Sequence, residues 1–123
     1  MKNILPQNAW DLLKTEPNSL LIDVRRPDEW NSVGCPNLTS IQKNLIKITW
    51  TGNEEEFINE LLQDIPNKDC HVIFICRGGT RSTATANLAF SHGYQNSYNL
   101  IGGFEKNGWK DNGLPCDENY LQL

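Results

Sequence analysis

One stretch decides the fold of this 123-residue chain, and it reads Val72-Ile73-Phe74-Ile75-Cys76-Arg77-Gly78-Gly79-Thr80-Arg81-Ser82. The four apolar residues at its start predict a buried strand. Gly78 and Gly79 let the backbone curl into a tight loop, and Thr80 or Ser82 is predicted to cap a helix that begins immediately afterwards. A strand that leads through a glycine-rich loop into a helix is typical of α/β proteins, whose reactive groups lie beyond the carboxyl ends of parallel strands.

Further helices are predicted on both sides of this stretch. Pro6 marks the start of a first helix, because proline is favoured in the first helical turn. Asn53 followed by Glu56 resembles a capping box and predicts a second helix, whose apolar residues recur at helical spacing up to Ile65. For the helix after the glycine-rich loop we predict one face formed by Ala84, Leu88, Ala89 and His92.

Strands alternate with these helices. Residues 20–24 are an apolar run with one acid near its end and predict a second buried strand, and residues 98–100 predict a short one. We interpret residues 25–39 as polar turns, residues 41–50 as strand or loop, and Gly102-Gly103 as the opening of a last helical stretch. The alternation predicts one α/β domain over residues 1–123, with a central parallel sheet and helices on both faces.

The loop after the strand of residues 72–75 is suited to an anion. Its glycines allow backbone N–H groups to point inward, the following helix adds a positive partial charge, and Arg77 and Arg81 add two full ones. This setting favours a Cys76 thiolate, and it also favours an oxyanion held by N–H groups and the planar fork of Arg81. The plainer alternative is a buried cysteine that packs as a small apolar residue.

Three ordered stretches resemble the signatures of the rhodanese-like sulfurtransferase family. They are residues 21–25 with Pro27, Glu29 and Trp30; the Cys76–Arg81 loop; and residues 99–104 with Trp109 and Gly113-Leu114-Pro115. The resemblance implies the three-layer fold of that family and a single-domain member. It also implies that Cys76 takes a sulfane sulfur from a donor such as thiosulfate, forms a persulfide and passes the sulfur to cyanide or a thiol, without a cofactor.

Each candidate site residue has an expected role. Cys76 is the expected nucleophile, and the expected donor-binding residues are Arg77, Gly78, Gly79, Thr80 and Arg81. Supporting roles are predicted for Asp23, Arg25 and Ser82. Asp23 is expected to pair with Arg25 or with backbone N–H groups, because an unpaired buried charge is costly. Arg25 is expected to pair with Asp23 or Glu29, and Ser82 to cap the helix.

The three other cysteines are weaker candidates. Cys35 falls where the segment Gly34-Cys35-Pro36-Asn37-Leu38 departs from the family's usual Gly-His-Ile-Pro-Gly-Ala, and it is considered as a resolving thiol. Cys70 and His71 come at the start of the central strand, at the end remote from Cys76. Cys116 is interpreted as an ordinary position in the tail, and His92 as a surface residue.

Composition excludes several classes of protein. Eleven basic against fifteen acidic residues give a net charge of −4, which argues against binding to nucleic acid or to an anionic membrane. The apolar runs are far too short to span a bilayer, and the N-terminus lacks the apolar core of a signal peptide, so we expect a cytoplasmic protein with reduced thiols. None of the four cysteines has a zinc-type spacing, so no metal is expected.

Two other functions remain open on the sequence alone. Cysteine-based phosphatases and arsenate reductases also combine a thiolate, a cradle of N–H groups and an arginine, but their loop has five residues between cysteine and arginine where this chain has four, Arg77 to Thr80. A non-catalytic redox or persulfide sensor would use the same reactive thiolate. The expected partners of the enzyme are a small sulfur donor and an acceptor that is a small molecule, a low-molecular-weight thiol or a protein thiol.

Overall fold

The computed structural model describes residues 1–117, so residues 118–123 of the predicted domain lie outside the described residues. Strands and helices follow one another in the order β1 (Lys2–Ile4), α1 (Pro6–Thr15), β2 (Ser19–Asp23), α2 (Pro27–Val33), β3 (Ile46–Lys47), α3 (Glu54–Asp64), β4 (His71–Ile75), α4 (Thr80–Ser91) and β5 (Ser97–Leu100). A short 3-10 helix, Thr39–Ile41, precedes β3.

All five strands form one parallel sheet in the order β1-β5-β4-β2-β3. The central strand β4 pairs with β2, where Asp23 lies opposite Ile75, and with β5, where Asn99 lies opposite Phe74. The three strands therefore end at the same edge of the sheet. The segments that follow Asp23, Ile75 and Leu100 meet there, and this edge carries the candidate site.

The core lies on both faces of the sheet, as predicted. Alternate residues of β4 point to opposite sides, so Val72 and Phe74 contact α3 and α4 while Ile73 and Ile75 contact α1 and the segment after β5. These strand residues are fully buried, which explains why β2 and β4 are nearly continuous apolar runs. The predicted α/β architecture with a central parallel sheet is confirmed.

Two elements were missed by the sequence patterns. Residues 25–39 contain the helix α2 instead of turns alone; Pro27 occupies its first turn, and the Glu29 side chain accepts a hydrogen bond from the Arg26 N–H at 3.1 Å. Glu29 is the buried residue of this helix, so α2 lacks the apolar stripe by which helices are recognised. Strand β1 is largely exposed at the sheet edge and has no apolar pattern either.

Three local predictions were wrong. The N-cap of α4 is Gly79, and neither Thr80 nor Ser82 caps it; the buried face of α4 consists of Ser82, Thr85, Ala86 and Ala89, while Ala84 and His92 are exposed. Gly102-Gly103 opens a series of turns and no regular helix. Both glycines have positive φ values, +80° and +58°, and this backbone conformation interrupts the right-handed helical path.

Candidate active site

Cys76 follows directly from the central strand and is only 1% exposed. Its Sγ accepts a hydrogen bond from the Gly79 backbone N–H at 3.1 Å and lies 3.2 Å from the Ser82 hydroxyl. The loop bends back on itself because Gly79 has φ +123°, a value that residues other than glycine rarely adopt. The sulfur therefore lies beside the first turn of α4, where the Gly79 N–H and the positive end of the helix dipole face it.

Ser82 contributes to the site differently from the predicted helix cap. Its hydroxyl donates to Asn99 Oδ1 at 2.6 Å, and Asn99 Nδ2 donates to Asn3 Oδ1 at 3.0 Å. Ser82 is buried and lies one helical turn after Gly79, so its side chain points back at the sulfur. The predicted supporting residue thus contacts Cys76 itself.

The segment after β5 holds the base of the loop. The N–H groups of Phe104 and Glu105 donate to the carbonyls of Cys76 and Arg77 at 2.8 and 2.9 Å. Gly103 permits this approach, because a Cβ there would lie 2.5 Å from the Cys76 carbonyl oxygen. A substitution at Gly103 would therefore displace the loop.

Arg81 makes a bidentate ion pair with Glu29. Nη1 donates to Oε1 at 2.7 Å and Nη2 to Oε2 at 2.9 Å, with the side chains of Arg81 and Glu29 24% and 10% exposed. This hydrogen bonding by Arg81 lowers the pKa of Glu29 to about 2, and the bond to Glu29 raises the pKa of Arg81. The Arg81 guanidinium, which the sequence predicts to bind the sulfur donor, is therefore bound to the Glu29 carboxylate. This ion pair also joins helix α2 to helix α4.

The other predicted donor-binding residues lie at the surface of the loop. Arg77 is 57% exposed in its side chain and pairs with Glu105 at 3.3 Å. A cleft of about 620 Å³ borders the loop, and it is lined by Asn3, Gly78, Gly79, Thr80, Thr83, Asn99, Ile101 and Gly102. The side chains among these lining residues are uncharged.

Asp23 and Arg25 form the expected pair, and both are fully buried. Arg25 Nη2 donates to Asp23 Oδ2 and to the Gly34 carbonyl, each at 2.8 Å, and the guanidinium lies 4.5 Å from the centre of the Phe104 ring. The pair thus joins the end of β2 to the Cys35 segment and to the segment after β5. These contacts indicate that the pair supports the segments around the Cys76 loop and does not face the cleft.

Comparisons with known proteins agree with this geometry. The family model described as the STR4 middle domain matches residues 4–120. Thiosulfate sulfurtransferase GlpE of Actinobacillus succinogenes is 34% identical over 120 residues, which cover 95% of this chain and 91% of the relative. The chain belongs to the rhodanese-like family.

Two further relatives of the rhodanese-like chain have no function in their names. An uncharacterized protein of Rickettsia conorii is 40% identical over 121 residues, covering 94% of this chain and 96% of the relative. The crystal structure of Rv0390 from M. tuberculosis has a TM-score of 0.84 at 32% identity and covers 95% of this chain and 97% of that one. The fold is therefore shared along almost the full length of both chains.

The remaining thiols of the rhodanese-like chain differ from Cys76 in their surroundings. Cys35 Sγ lies 3.9 Å from the Trp30 carbonyl oxygen, and burial raises the pKa of this thiol. Burial also raises the pKa of Cys116. Cys70 precedes β4 and His71 is its first residue, so both lie at the end of the strand remote from Cys76, as expected. All four cysteines are free, and residues 1–117 contain no group of His, Cys, Asp and Glu that could hold a metal ion.

Two residues of the site had no role assigned from the sequence. The sequence suggests Glu29 only as a partner for Arg25, since nothing in the local pattern relates it to Arg81, 52 positions later. Asn99 lies in the C-terminal signature, but only the pairing of β5 with β4 brings it to Ser82. Within the described residues, no helix is both long and apolar enough to cross a membrane.

Proposed function

We propose that this rhodanese-like chain is a sulfurtransferase in which Cys76 carries a sulfane sulfur as a persulfide. The observation that carries the proposal is the position of Cys76 Sγ, which accepts the Gly79 N–H at the start of α4. An N–H donor at a helix N-terminus favours the thiolate, and the thiolate is the nucleophilic form of cysteine. The name of the GlpE relative supports thiosulfate as a donor.

The reaction proceeds in two balanced half-reactions. The Cys76 thiolate attacks the outer sulfur of thiosulfate, the sulfur–sulfur bond of the donor breaks, and sulfite leaves with its electron pair. An acceptor, such as cyanide or a thiolate, then attacks the outer sulfur of the persulfide and displaces the Cys76 thiolate. No net oxidant and no cofactor are needed, and the two steps predict ping-pong kinetics.

Donor binding is proposed for the loop from Arg77 to Arg81. The backbone N–H groups of Gly78, Gly79 and Thr80 and the charge of Arg77 offer an anion partners without breaking the ion pair of Arg81. Arg81 attracts a donor anion only weakly while its guanidinium is paired with the Glu29 carboxylate, which offsets its charge. The acceptor is proposed to be a small molecule or a thiol-bearing protein in the cytoplasm.

A cysteine phosphatase is the main competing function. Four residues separate Cys76 from Arg81, and the guanidinium that would hold phosphate oxygens is already bound to Glu29. Both features favour a sulfur atom over a tetrahedral phosphate. A sensor that is modified once and does not turn over would use the same thiol.

One experiment separates these functions. The intact mass of the reduced protein is measured before and after incubation with thiosulfate, and sulfurtransfer to cyanide is followed in parallel with hydrolysis of an aryl phosphate. We expect a mass gain of one sulfur atom, repeated turnover with cyanide, and little aryl-phosphate hydrolysis. A faster hydrolysis of the aryl phosphate would overturn the proposal, and a mass gain without turnover would identify a sensor.

A further inference from the structure

A chain of hydrogen bonds leads from Cys76 to the cleft beside the loop. Cys76 Sγ contacts the Ser82 hydroxyl, Ser82 donates to Asn99 Oδ1, and Asn99 Nδ2 donates to Asn3 Oδ1. Asn3 and Asn99 line the cleft, whereas Cys76 does not. Asn99 is 6% exposed and Ser82 is fully buried, so bulk water competes little for these groups.

The hydroxyl of Ser82 has one proton and several acceptors. The shortest contact, 2.6 Å, is to Asn99 Oδ1, while the Cys76 sulfur and the Gly79 carbonyl oxygen are both 3.2 Å away. When Cys76 is a thiol, its S–H can donate to Ser82 and every group is satisfied. When Cys76 is a thiolate, it needs the Ser82 proton, and Asn99 holds that proton.

The Asn99 amide faces Ser82 with its oxygen and Asn3 with its nitrogen. Because Asn99 Nδ2 donates to Asn3 Oδ1, its Oδ1 is turned toward the hydroxyl. With the amide reversed, the NH₂ group would donate to Ser82 and the hydroxyl proton would be free for the sulfur. The orientation of the Asn99 amide thus decides whether the Ser82 hydroxyl donates its proton to Asn99 Oδ1 or to the Cys76 thiolate.

We propose that Asn99 is a positioning residue that holds the Ser82 proton away from Cys76 and thereby restrains the reactivity of the resting thiol. The inference rests on the proposed function in taking Cys76 as the sulfur carrier. In the persulfide, Sγ is no longer an anion, and the Ser82 proton remains with Asn99. Asn99 therefore favours the thiol and the loaded cysteine over the free thiolate.

The test measures the alkylation of Cys76 by iodoacetamide as a function of pH, resolved by peptide mass spectrometry of the full chain. Asn99→Leu has a similar volume and no acceptor. We expect Cys76 in this variant to react roughly fivefold faster below neutral pH, as one hydrogen bond to an anion implies. The midpoint of the pH profile moves to lower pH, and the rate at high pH stays unchanged.

The pH profile distinguishes this role from a general loosening of the loop. Loosening would raise the rate at every pH, including the plateau, and that result would overturn the proposal. Equal profiles for wild type and Asn99→Leu, or a slower reaction of the variant, would overturn it as well. The charged side chains near the loop are the same in wild type and variant: the pairs Arg77–Glu105, Arg81–Glu29 and Arg25–Asp23, and Lys106, whose side chain lies beside Gly78.

Two further variants test the route through Ser82. Ser82→Ala is expected to react within about twofold of wild type, because Asn99 keeps the Ser82 proton from the thiolate in wild type. The double variant Asn99→Leu/Ser82→Ala is expected to match Ser82→Ala alone, because without the hydroxyl no proton can be released to the sulfur. A double variant as fast as Asn99→Leu would contradict the route. Asn87→Leu, on the exposed face of α4, is the matched control. Alkylation needs no sulfur donor, so these outcomes are independent of whether thiosulfate is the substrate.

Discussion

Two buried thiols, Cys76 and Cys35, lie in segments that follow neighbouring strands at the same edge of the sheet. Opposite ends of the peptide group face their sulfur atoms. Cys76 Sγ receives the N–H of Gly79. Cys35 Sγ faces the carbonyl of Trp30, and burial raises the pKa of its thiol. The two residues are 1% and 5% exposed, so burial alone does not distinguish them.

The two thiols differ in the direction of the peptide groups that face them. N–H groups turned toward a sulfur stabilise its anion, whereas a carbonyl oxygen stabilises the S–H form. The first arrangement arises at a helix N-terminus and the second at a helix C-terminus, since Trp30 belongs to the last turns of α2. The two segments are joined by the ion pair between Glu29 and Arg81.

The largest expected effect concerns the two thiols themselves. Cys76→Ser should abolish the mass gain with thiosulfate and sulfurtransfer to cyanide, because a serine hydroxyl stays protonated. Cys35→Ser should retain activity within about twofold, since its sulfur faces a carbonyl. Intact mass and cyanide assays on both variants check this. If Cys35→Ser also loses turnover while still gaining sulfur, Cys35 is a resolving thiol and the comparison fails.

A second prediction concerns the support beneath the Cys76 loop. Gly103→Ala and Gly113→Ala both place an alanine at positive φ, +58° and +70°, which costs about 1–2 kcal/mol in either case. Only at Gly103 does the added Cβ approach Cys76, at 2.5 Å from its carbonyl oxygen, whereas nothing lies within 4 Å at Gly113. We expect Gly103→Ala to lower the free energy of unfolding by about 4 kcal/mol and to slow sulfur loading.

Urea unfolding of both variants, followed by the thiosulfate mass assay, measures the contrast between the two glycines. Gly113→Ala should lose only the part of the unfolding free energy that comes from placing alanine at positive φ, and it should load sulfur at the wild-type rate. Equal destabilisation by the two substitutions would mean that the loop accommodates the methyl group without moving.

The smallest expected effect concerns the ion pair that joins the two segments. The Glu29 carboxyl has a pKa of about 2 in the folded protein, below the ordinary value near 4.3. Its charge therefore stabilises the folded protein at pH values above about 4.3, and this contribution is lost as the pH falls toward 2. We expect about 2 kcal/mol, less than the shift alone implies, because Arg81 remains partly exposed to solvent.

The difference in unfolding free energy between wild type and Glu29→Gln isolates this contribution. The difference should be near its full size at pH 6 and should shrink as the pH is lowered to 3. Asp28→Asn, at an exposed carboxylate one residue earlier, is the control and should show almost no difference. A wild-type advantage that stays constant down to pH 3 would contradict the proposed contribution of the pair.

Much of the fold could be predicted because its signals are local. The buried strands β2 and β4 are apolar runs, α1 begins at Pro6, and the Asn53 side chain accepts the Glu56 N–H at 3.0 Å as a cap should. The sequence did not predict helix α2 or strand β1, because neither has an apolar face. Their positions follow from contacts with distant parts of the chain, such as Arg81 for α2 and β5 for β1.

The sequence by itself determined the loop that carries Cys76, because a strand end, two glycines and a helix start within seven residues leave the backbone few alternatives. Only the tertiary structure decided the partners of that loop. Glu29 reaches Arg81, Asn99 reaches Ser82, and Gly103 reaches the base of the loop because parallel strands end at one edge of the sheet. Hydrogen bonds depend on separations of about 3 Å between atoms far apart in the chain, and no local pattern encodes such separations.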